Sequence, residues 1–267
     1  MKGKTLTSCG ISGRECSVSL ELLSANSSAG GICWFYGEAQ PRNFKMVYEN
    51  RTTVLVHNSG KKIIGVEHLN AAALAFPNCE FALNAPQGEL PLLDGSAKLW
   101  KEALNAIATP SHLNFYVPER TEFEIEIDGR YLKYEGVVVG AGSARPHNAL
   151  EIQYTINRFN QKFQATVQIK TPDDLEKIFL ARTFVFEQEL PTANLSENLR
   201  NCGVLLQSGK KSDLRFENEP VYHKILDFLG DISIYSNALP IGKFTIFNGG
   251  HELHHIATGA LMAGHES

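Results

Sequence analysis

The chain of 267 residues is 43% apolar and 20% charged, an ordinary composition for a water-soluble globular protein with one large domain or two smaller ones. Its net charge of -4 gives no electrostatic reason to expect nucleic acid or an anionic membrane as a partner. The amino terminus lacks the apolar segment of a signal peptide, and the longest apolar run, residues 71–76, is far shorter than a membrane-spanning helix, so we expect no transmembrane segment.

The cysteines indicate the redox setting. The chain has five of them: Cys9, Cys16, Cys33, Cys79 and Cys202. Their number is odd and no two form a C-x-x-C pair, which argues against a disulfide framework and against a structural zinc ribbon. We therefore expect a cytoplasmic protein in which the cysteines serve as small hydrophobic core residues.

The first third of the chain predicts strands followed by a helix. Residues 17–22 and 53–56 alternate between apolar and polar side chains, as half-buried antiparallel strands do. Residues 24–31 predict a loop. Helical periodicity covers residues 66–76, and Pro77 ends it because proline cannot donate to the helix hydrogen-bond ladder.

A proline-containing break suggests a division of the chain. Residues 89–96 predict a short strand followed by a turn, and residues 97–107 predict a second helix with one apolar face. The sequence Thr-Pro-Ser at 109–111 interrupts that helix. We place a domain boundary there, which predicts domains of residues 1–110 and 111–267.

The second half repeats the order of strands followed by helices. Its predicted elements are a hairpin of strands 123–127 and 131–139 with a turn at 128–129, a strand pair at 150–156 and 163–169, a helix 171–181 with Thr171 as N-cap and Pro172 at N1, a helix around His223, a strand at 243–247 and a last helix at 251–262. This order predicts an α+β fold of two similar layered domains, each a sheet packed with helices, with the active site between them.

Two short patterns carry metal-binding side chains. His223 and Asp227 are four residues apart in a predicted helix, so they lie on one face and can bind the same ion. His68 is the best candidate for a third ligand, and Glu67 beside it can act as a base. Two histidines and a carboxylate leave a fourth position open for water, as in catalytic zinc sites. Zinc lowers the pKa of bound water to about 7, and Glu67 can take its proton.

Each pattern also has a structural interpretation. A single histidine on a helix is more often structural than a metal ligand. Glu-His and His-x3-Asp pairs are both common by chance. The metal prediction therefore depends on the two patterns lying together in the folded chain.

A rival motif lies near the carboxyl end. Residues 251–255 read His-Glu-Leu-His-His and satisfy the H-E-x-x-H signature of metalloproteases. That class needs a third ligand, and only twelve residues follow His255. The extended signature places glycine and histidine where this chain has Thr258 and Leu261. We therefore favour the site at His68 over a peptidase site.

Several separate segments together carry a resemblance to a known family. They are Val-Glu-His-Leu at 66–69, Asn-Ala-Pro at 84–86, Leu-Pro-Leu-Leu-Asp-Gly-Ser-Ala at 90–97, Ala-Arg-Thr-Phe at 181–184, Leu-Arg-Phe at 214–216, the helix segment 223–231 and Gly-His at 250–251. In this order they resemble the zinc-dependent UDP-3-O-acyl-N-acetylglucosamine deacetylases of lipid A synthesis. The resemblance covers nearly the whole chain, from about residue 5 to residue 261.

The resemblance implies roles for the matching residues. These roles are zinc binding by His68, His223 and Asp227, general base catalysis by Glu67, general acid catalysis by His251, orientation of that histidine by Asp231, hydrogen bonding of the oxyanion by Thr183, packing on the sugar by Phe184, and substrate contact by Lys224. A cationic His251 beside developing negative charge gives the electrostatic stabilisation that matters most in acyl transfer.

Some segments depart from the family's pattern. The family's early Gly-Leu-His-Ser/Thr-Gly loop corresponds here to residues 9–15, which contain no histidine. Residues 157–161 stand in place of the His-Pro segment of the second-domain insert, which forms the acyl passage, and look shorter. Val185 replaces a frequent glycine. The residues of the last helix that replace small or amide side chains are Glu252, His254 and His255. These departures concern recognition of the acyl chain and nucleotide, while the catalytic residues are retained.

The predicted function is hydrolysis of the N-acetyl group of UDP-3-O-acyl-N-acetylglucosamine at a Zn²⁺ site. Fe²⁺ is an alternative metal, because iron also accepts two histidines and a carboxylate. Two alternative functions stay open: deacetylation of another N-acetylated sugar, and a catalytically silent binding homologue. The intact Glu67, His251 and ligand set argue against the silent form. The expected partner is a nucleotide-sugar or acylated amino-sugar substrate, with no nucleic acid, and we expect a monomer.

Overall fold

The computed structural model describes residues 3–27, 30–37, 44–137, 149–190, 202–210 and 212–263. The α-helices of this part of the chain are α1 (Glu67–Ala73), α2 (Lys98–Asn105), α3 (Glu176–Phe179), α4 (Glu219–Ile232) and α5 (His251–Met262). Helices pack against mainly antiparallel sheets, so the architecture is α+β as the sequence predicts.

The strands form three larger sheets and two small ones. The four-stranded sheet has the spatial order β1 (Gly3–Cys9), β2 (Glu15–Ser24), β7 (Glu80–Asn84), β3 (Gly31–Phe35). The three-stranded sheet is β4 (Phe44–Glu49), β5 (Thr52–His57), β6 (Lys62–Ile64). The five-stranded sheet has the order β12 (Gln161–Ile169), β11 (Leu150–Arg158), β16 (Gly242–Phe247), β10 (Arg130–Gly136), β9 (Glu122–Ile127). The small sheets are β13 (Phe184–Phe186) with β14 (Val204–Leu206), and β15 (Leu239–Pro240) with β8 (Phe115–Tyr116).

The five-stranded sheet follows from side-chain alternation. Along β11, Leu150, Ile152 and Tyr154 are buried while the residues between them are half-exposed, so one face of the strand lies on the core. Both predicted hairpins are confirmed, β9 with β10 and β11 with β12. The β9–β10 turn has positive φ at Asp128 and Gly129, as a two-residue hairpin turn requires. The predicted strand end at 138–139 lies outside the described residues.

Helix α4 is the central element of the core. Every residue in it except Tyr222 and Lys224 is buried, and it packs against α1, α3, α5 and the strands β11 and β12. A helix that is covered on nearly all sides places even its polar side chains in the interior. The polar residues of α4 therefore face other protein groups rather than bulk water.

Two predictions for residues 66–96 are wrong. Helix α1 ends at Ala73 and not at residue 76, because the chain tightens there into bonds from the backbone N–H of each residue to the carbonyl three residues earlier. Residues 89–96 form one isolated bridge and a turn rather than a strand. Pro91 has no N–H, and the N–H groups of Leu90 and Leu92 bond to two different strands, at Ile64 of β6 and at Cys9 of β1, so no ladder forms with either.

The helix predicted at 171–181 begins as expected but is shorter. Asp174 closes a capping box with Thr171, the next residues form a 3-10 turn from Pro172 to Leu175, and α3 follows. Among the predicted loop residues 24–31, positions 28–29 lie outside the described part.

The cysteine prediction is confirmed for two residues and wrong in part for the others. None of the five cysteines forms a disulfide in the described part of the chain. Cys16 and Cys79 are buried, while three cysteines are only partly buried: Cys9, Cys33 and Cys202. Burial raises the pKa of the Cys16 thiol to about 12, which is the behaviour of an unreactive core residue.

The division into residues 1–110 and 111–267 stays a prediction. Within the described ranges, no sheet combines strands from both sides of residue 110. Contacts across the division are made by helices, since α1 packs on α4. In the same described ranges, no helix has the length and apolar character needed to cross a bilayer.

Candidate metal centre and active site

A cavity of about 650 Å³ opens beside the contact of α1 and α4. The residues of the sequence-predicted site that line it are Glu67, His68, Thr183, Phe184, His223, Lys224, Asp227 and His251. The remaining predicted site residue, Asp231, lies behind His251 and is fully buried. The structure therefore brings together residues from both halves of the chain, as the sequence predicts.

The two helices approach closely because α4 has a glycine at the contact. Any side chain at Gly230 would collide with the backbone carbonyl of Glu67. Asn70, one turn further along α1, donates from Nδ2 to the Gly230 carbonyl at 3.2 Å. Backbone contact between the helices sets the distance from Glu67 and His68 to the polar face of α4.

Three ligand atoms converge on one point. The Nε2 atoms of His68 and His223 each lie 3.3 Å from Oδ1 of Asp227. All three side chains are buried, and they form one group whose ligand atoms are close enough to share an ion. This geometry agrees with the ligand set predicted from the sequence.

The protonation of His223 suits a metal ligand. Burial lowers the pKa of His223 to about 3, against the opposing effect of Asp227, so the ring is neutral near pH 7. Its Nδ1 faces the backbone carbonyl of Ala181 at 3.2 Å, and only an N–H can donate there. The Nε2 atom consequently carries a lone pair that points at Asp227, as metal ligation requires.

Asp227 is held in place from its other oxygen. Lys224 donates from Nζ to Oδ2 at 2.7 Å, which leaves Oδ1 facing the two imidazoles. Burial alone raises the pKa of Asp227, but neighbouring His223, the Lys224 ammonium and His251 outweigh it and hold that pKa well below its usual range. The ionised Oδ1 of Asp227 thus lies beside Nε2 of His68 and Nε2 of His223, and the latter carries a lone pair.

Glu67 has one oxygen in use and one without a partner. Thr52 donates from Oγ1 to Oε1 of Glu67 at 2.9 Å. Oε2 is buried and accepts no hydrogen bond in the described part of the chain. A buried carboxylate oxygen without a partner is costly, and a metal or its bound water would satisfy it. The donor set and this unpaired oxygen fit a divalent cation at the three-ligand site.

His251, the first residue of α5, faces the same point. Its Nδ1 donates to Oδ2 of Asp231 at 2.8 Å, and its Nε2 lies 3.6 Å from Oδ2 of Asp227 and 3.9 Å from Oε1 of Glu67. Burial opposes the charged imidazolium, but the carboxylates of Asp231 and Asp227 outweigh it and raise the pKa of His251 to about 9. A cationic proton donor therefore stands beside the ligand atoms.

The structure reveals polar partners of Asp231 that sequence reasoning missed. Thr53 donates from Oγ1 to Oδ1 of Asp231 at 2.5 Å, and His254 donates from Nδ1 to Oδ2 at 2.9 Å. Tyr154, in β11, lies 3.2 Å from the other nitrogen of His254. The unusual histidines of the last helix were a visible signal, whereas a threonine or tyrosine in a strand carries none.

Residues predicted for substrate contact line one wall of the cavity. Phe184 lies with its ring centroid 6.0 Å from that of His223, and the Lys224 ammonium lies 5.6 Å from the Phe184 ring. Thr183 is held by backbone bonds from its N–H to the Gly95 carbonyl and from the Val204 N–H to its own carbonyl.

The metalloprotease interpretation of residues 251–255 receives no structural support. His255 bonds through Nε2 to Thr53 at 2.8 Å and belongs to no candidate metal group in the described ranges. Nε2 of His251 faces Glu67 and Asp227, whereas Nε2 of His255 bonds to Thr53, so the two nitrogens are directed at different groups. Glu252 bonds to Arg130. Hydrogen bonding around Asp231 therefore accounts for the two histidines of the match.

One of the unusual segments lines the cavity, and a second packs on β13, of which Phe184 and Val185 line it. In the early loop, Ser12 donates from its N–H and its Oγ to the two carboxylate oxygens of the buried Glu89, at 2.7 and 2.5 Å, and it lines the cavity together with Ile11. At the end of the β11–β12 hairpin, the Phe159 ring packs on Phe186 with centroids 5.2 Å apart.

Comparison with known proteins identifies the family of this chain. The family model described as LpxC: UDP-3-O-acyl N-acetylglycosamine deacetylase matches residues 4–263. Proteins named UDP-3-O-acyl-N-acetylglucosamine deacetylase are similar over most of the chain. One from Nautilia profundicola is 28% identical over 243 residues, covering 85% of this chain and 78% of the relative. One from Aquifex aeolicus is 30% identical over 227 residues, covering 78% and 72%. One from Legionella pneumophila is 27% identical over 245 residues, covering 83% and 74%. Because the family model spans nearly all of the chain and the relatives match across most of it, this chain belongs to the UDP-3-O-acyl-N-acetylglucosamine deacetylase family.

Proposed function

We propose that this protein hydrolyses the N-acetyl group of UDP-3-O-acyl-N-acetylglucosamine for lipid A biosynthesis, in the cytoplasm. The observation that carries the proposal is the convergence of His68, His223 and Asp227, with Glu67 and His251 facing the same point. Family membership supplies the substrate class. We assign the site to Zn²⁺, because two imidazoles and a carboxylate with an open position are typical of catalytic zinc; Fe²⁺ accepts the same ligands.

His68, His223 and Asp227 would hold a divalent ion, which would supply a more acidic water and a positive charge that polarises the acetyl carbonyl. The protein's own residues then handle the protons. Glu67 takes a proton from the attacking water, and its unpaired Oε2 is the atom available for this step. Thr52 holds the other oxygen through its hydroxyl, so the base has a defined orientation.

His251 gives its Nε2 proton to the leaving nitrogen. The water oxygen forms a bond to the acetyl carbon, the carbon–nitrogen bond breaks, and the nitrogen keeps the electron pair and accepts the proton from His251. The products are acetate and a free amine. Asp231 keeps the opposite nitrogen of His251 hydrogen-bonded, which stabilises the cationic form needed before the transfer.

Three residues of the cavity wall complete the proposed roles. Thr183 donates a hydrogen bond to the developing oxyanion, which strengthens as negative charge grows on the acetyl oxygen. Phe184 offers an aromatic face for packing against the sugar. Lys224 contacts the negatively charged nucleotide portion of the substrate, since its ammonium lies at the same wall.

The direct test is product analysis with the metal-loaded protein. We expect equimolar acetate and free amine from the acylated nucleotide sugar, and a much lower yield after metal removal by chelation. His68→Ala serves as the matched control, because it removes a ligand and leaves the cavity wall otherwise unchanged. Release of no acetate from the acylated substrate by the metal-loaded wild type would sink the proposal and favour a silent binding homologue.

A second candidate is a deacetylase for another N-acetylated sugar. The observation that favours it is the early loop, where Ser12 is tied to Glu89 and residues 9–15 contain no histidine. Running acylated and unacylated sugars side by side separates the two functions. Faster acetate release from an unacylated sugar would favour this second candidate.

A further inference from the structure

Helix α5 places three histidine side chains around the buried carboxylate of Asp231. His251, His254 and His255 occupy one turn of the helix, and all three face Asp231 or its hydrogen-bond partner Thr53. Residues three and four apart share a helix face, which explains how one helix turn supplies all three rings. The proposed mechanism uses only the first of them.

The hydrogen bonds assign the proton of His254. Asp231 is fully buried, and although burial raises its pKa, His251 and the other donors outweigh that effect and keep its pKa well below the usual range, so its oxygens only accept. Burial lowers the pKa of His254 to about 4, against the pull of Asp231, so the ring is neutral and has a single N–H. That proton lies on Nδ1, which donates to Oδ2 of Asp231 at 2.9 Å. Nε2 then accepts from the Tyr154 hydroxyl at 3.2 Å.

A second chain of bonds holds the other oxygen of Asp231. The Thr53 hydroxyl has one proton and donates it to Oδ1. The Thr53 oxygen therefore accepts from His255, whose Nε2 lies 2.8 Å away and must carry the proton. The hydrogen bonds thus place a proton on Nδ1 of His254 and on Nε2 of His255, each set by its own partner.

Both oxygens of Asp231 are consequently fixed by donors other than His251. A buried carboxylate bound by His251 alone could rotate about its Cβ–Cγ bond, and the imidazole would turn with it. Donors on both oxygens prevent that rotation, and they also remove the cost of leaving a buried oxygen with an unmet hydrogen bond. The ring of His251 then keeps Nε2 directed at Glu67 and Asp227.

Resting on the proposed deacetylase function, we propose that His254, held by Tyr154, is a positioning residue of the reaction: it fixes the Asp231 oxygen that orients the catalytic His251. The same residues do not form a second metal site. Asp231 and His254 are both fully buried, so no open coordination position faces the cavity, and each nitrogen has a hydrogen-bond partner.

The first test compares two replacements of His254. His254→Leu removes the donor to Asp231, while His254→Asn keeps an N–H donor on a shorter side chain. We expect kcat to fall by about 10-fold or more in His254→Leu, with KM within about twofold and one metal ion per chain retained, as for other partners that orient an active-site group. His254→Asn should recover most of the lost kcat.

The matched control is Thr258→Val on the same helix. The Thr258 hydroxyl is buried and bonds the backbone carbonyls of His254 and Asp231, not their side chains. This variant should lower the melting temperature and leave kcat unchanged. Tyr154→Phe removes only the hydrogen bond from the Tyr154 hydroxyl to Nε2 of His254. We therefore expect a smaller fall in kcat than in His254→Leu.

A double variant tests the route of the effect. If His254 acts through Asp231, then Asp231→Asn with His254→Leu should be no slower than Asp231→Asn alone, because the shared step is already lost. Multiplied losses, or unchanged kcat in a folded, metal-loaded His254→Leu protein, would overturn the inference. Absence of acetate release by the wild type would instead contradict the proposed function.

A readout without activity completes the test. ¹⁵N NMR of histidine-labelled, metal-loaded protein should show His254 as the neutral Nδ1–H tautomer and His255 with a proton on Nε2. Tyr154→Phe should shift the Nε2 resonance of His254. A cationic His254, or a proton on its Nε2, would overturn the assignment even if the enzyme were inactive.

Discussion

Two carboxylates of α4, Asp227 and Asp231, stand one turn apart and are equally buried, yet their surroundings differ in kind. Asp231 meets donors on both oxygens: the Thr53 hydroxyl and two imidazole N–H groups. Oδ1 of Asp227 lies beside the Nε2 atoms of His68 and His223. Nε2 of His223 carries a lone pair and cannot donate a hydrogen bond to this oxygen. The first carboxylate is complete within the protein, while the second is complete only when a cation joins it.

The largest expected effect is a difference in metal content between variants of the two carboxylates. Asp227→Asn should abolish tight metal binding and activity, because catalytic zinc needs its three protein ligands. Asp231→Asn should keep the metal and lose kcat. Metal analysis of the purified variants measures both, with His255→Ala as a control expected to retain its ion. Stoichiometric metal in Asp227→Asn or in His223→Ala would break the comparison.

The next effect concerns proton transfer with the metal in place. Glu67→Ala and His251→Ala should each lower kcat by about 10²-fold or more, because each removes a positioned acid or base. Both should retain one metal ion, which distinguishes them from variants of the ligands. Near-normal turnover in His251→Ala would remove that residue from the mechanism.

The pH dependence of kcat/KM sharpens the role of Asp231. His251 must be protonated to act as an acid, and its pKa is raised to about 9 by Asp231 and Asp227 against the effect of burial. Activity that depends on it is present below that pKa and is lost as the pH rises through it. A bound dication repels the imidazolium and moves the alkaline limb below pH 9. The reaction also needs an unprotonated base, which gives an acid limb, so the profile should be bell-shaped.

The alkaline limb has its own control. Metal-bound water also titrates near pH 7, so the wild-type profile cannot assign the limb by itself. His251→Ala should flatten the alkaline limb, and Asp231→Asn should move it to lower pH because one attracting carboxylate is lost. An alkaline limb that is identical in His251→Ala and wild type would assign it to another group.

The sequence predicted one of these two carboxylate sites better than the other. The spacing of His223 and Asp227 places both on one helix face. His68 was the best candidate for a third ligand because Glu67 beside it can act as a base. Each ligand could therefore be recognised within a short segment of the sequence. The partners of Asp231 could not, because Thr53 is 178 residues away and a threonine in a strand has no distinguishing pattern. The same limit explains the missing strand at residues 89–96, where the N–H of Leu92 bonds to Cys9, at the end of β1 and more than eighty residues earlier.

A smaller effect should appear in acid stability. The pKa of His254 falls from an ordinary 6.5 to about 4 on folding, mainly through burial. Between these values the unfolded chain binds a proton that the folded chain does not, so stability falls as the pH drops from about 6.5 toward 4. His254→Asn should reduce this slope of unfolding free energy against pH, measured by urea titration with matched metal content. An unchanged slope would show that His254 does not stay neutral in the fold.

The smallest effect concerns each methylene of the substrate's acyl chain. Val185 lines the cavity in place of a frequent family glycine, and beside β13 the β11–β12 hairpin ends in a short turn at Phe159 and Asn160. We propose that the Val185 side chain and the short turn narrow the passage, so an acyl chain reaches fewer apolar contacts along this wall. A fully buried methylene is worth ~0.8 kcal/mol, or about fourfold in kcat/KM. We expect a smaller step than this for each carbon in a series of substrates that differ only in acyl length, and Val185→Gly should make the steps larger. Steps of about fourfold that continue to long chains in the wild type would show an intact passage.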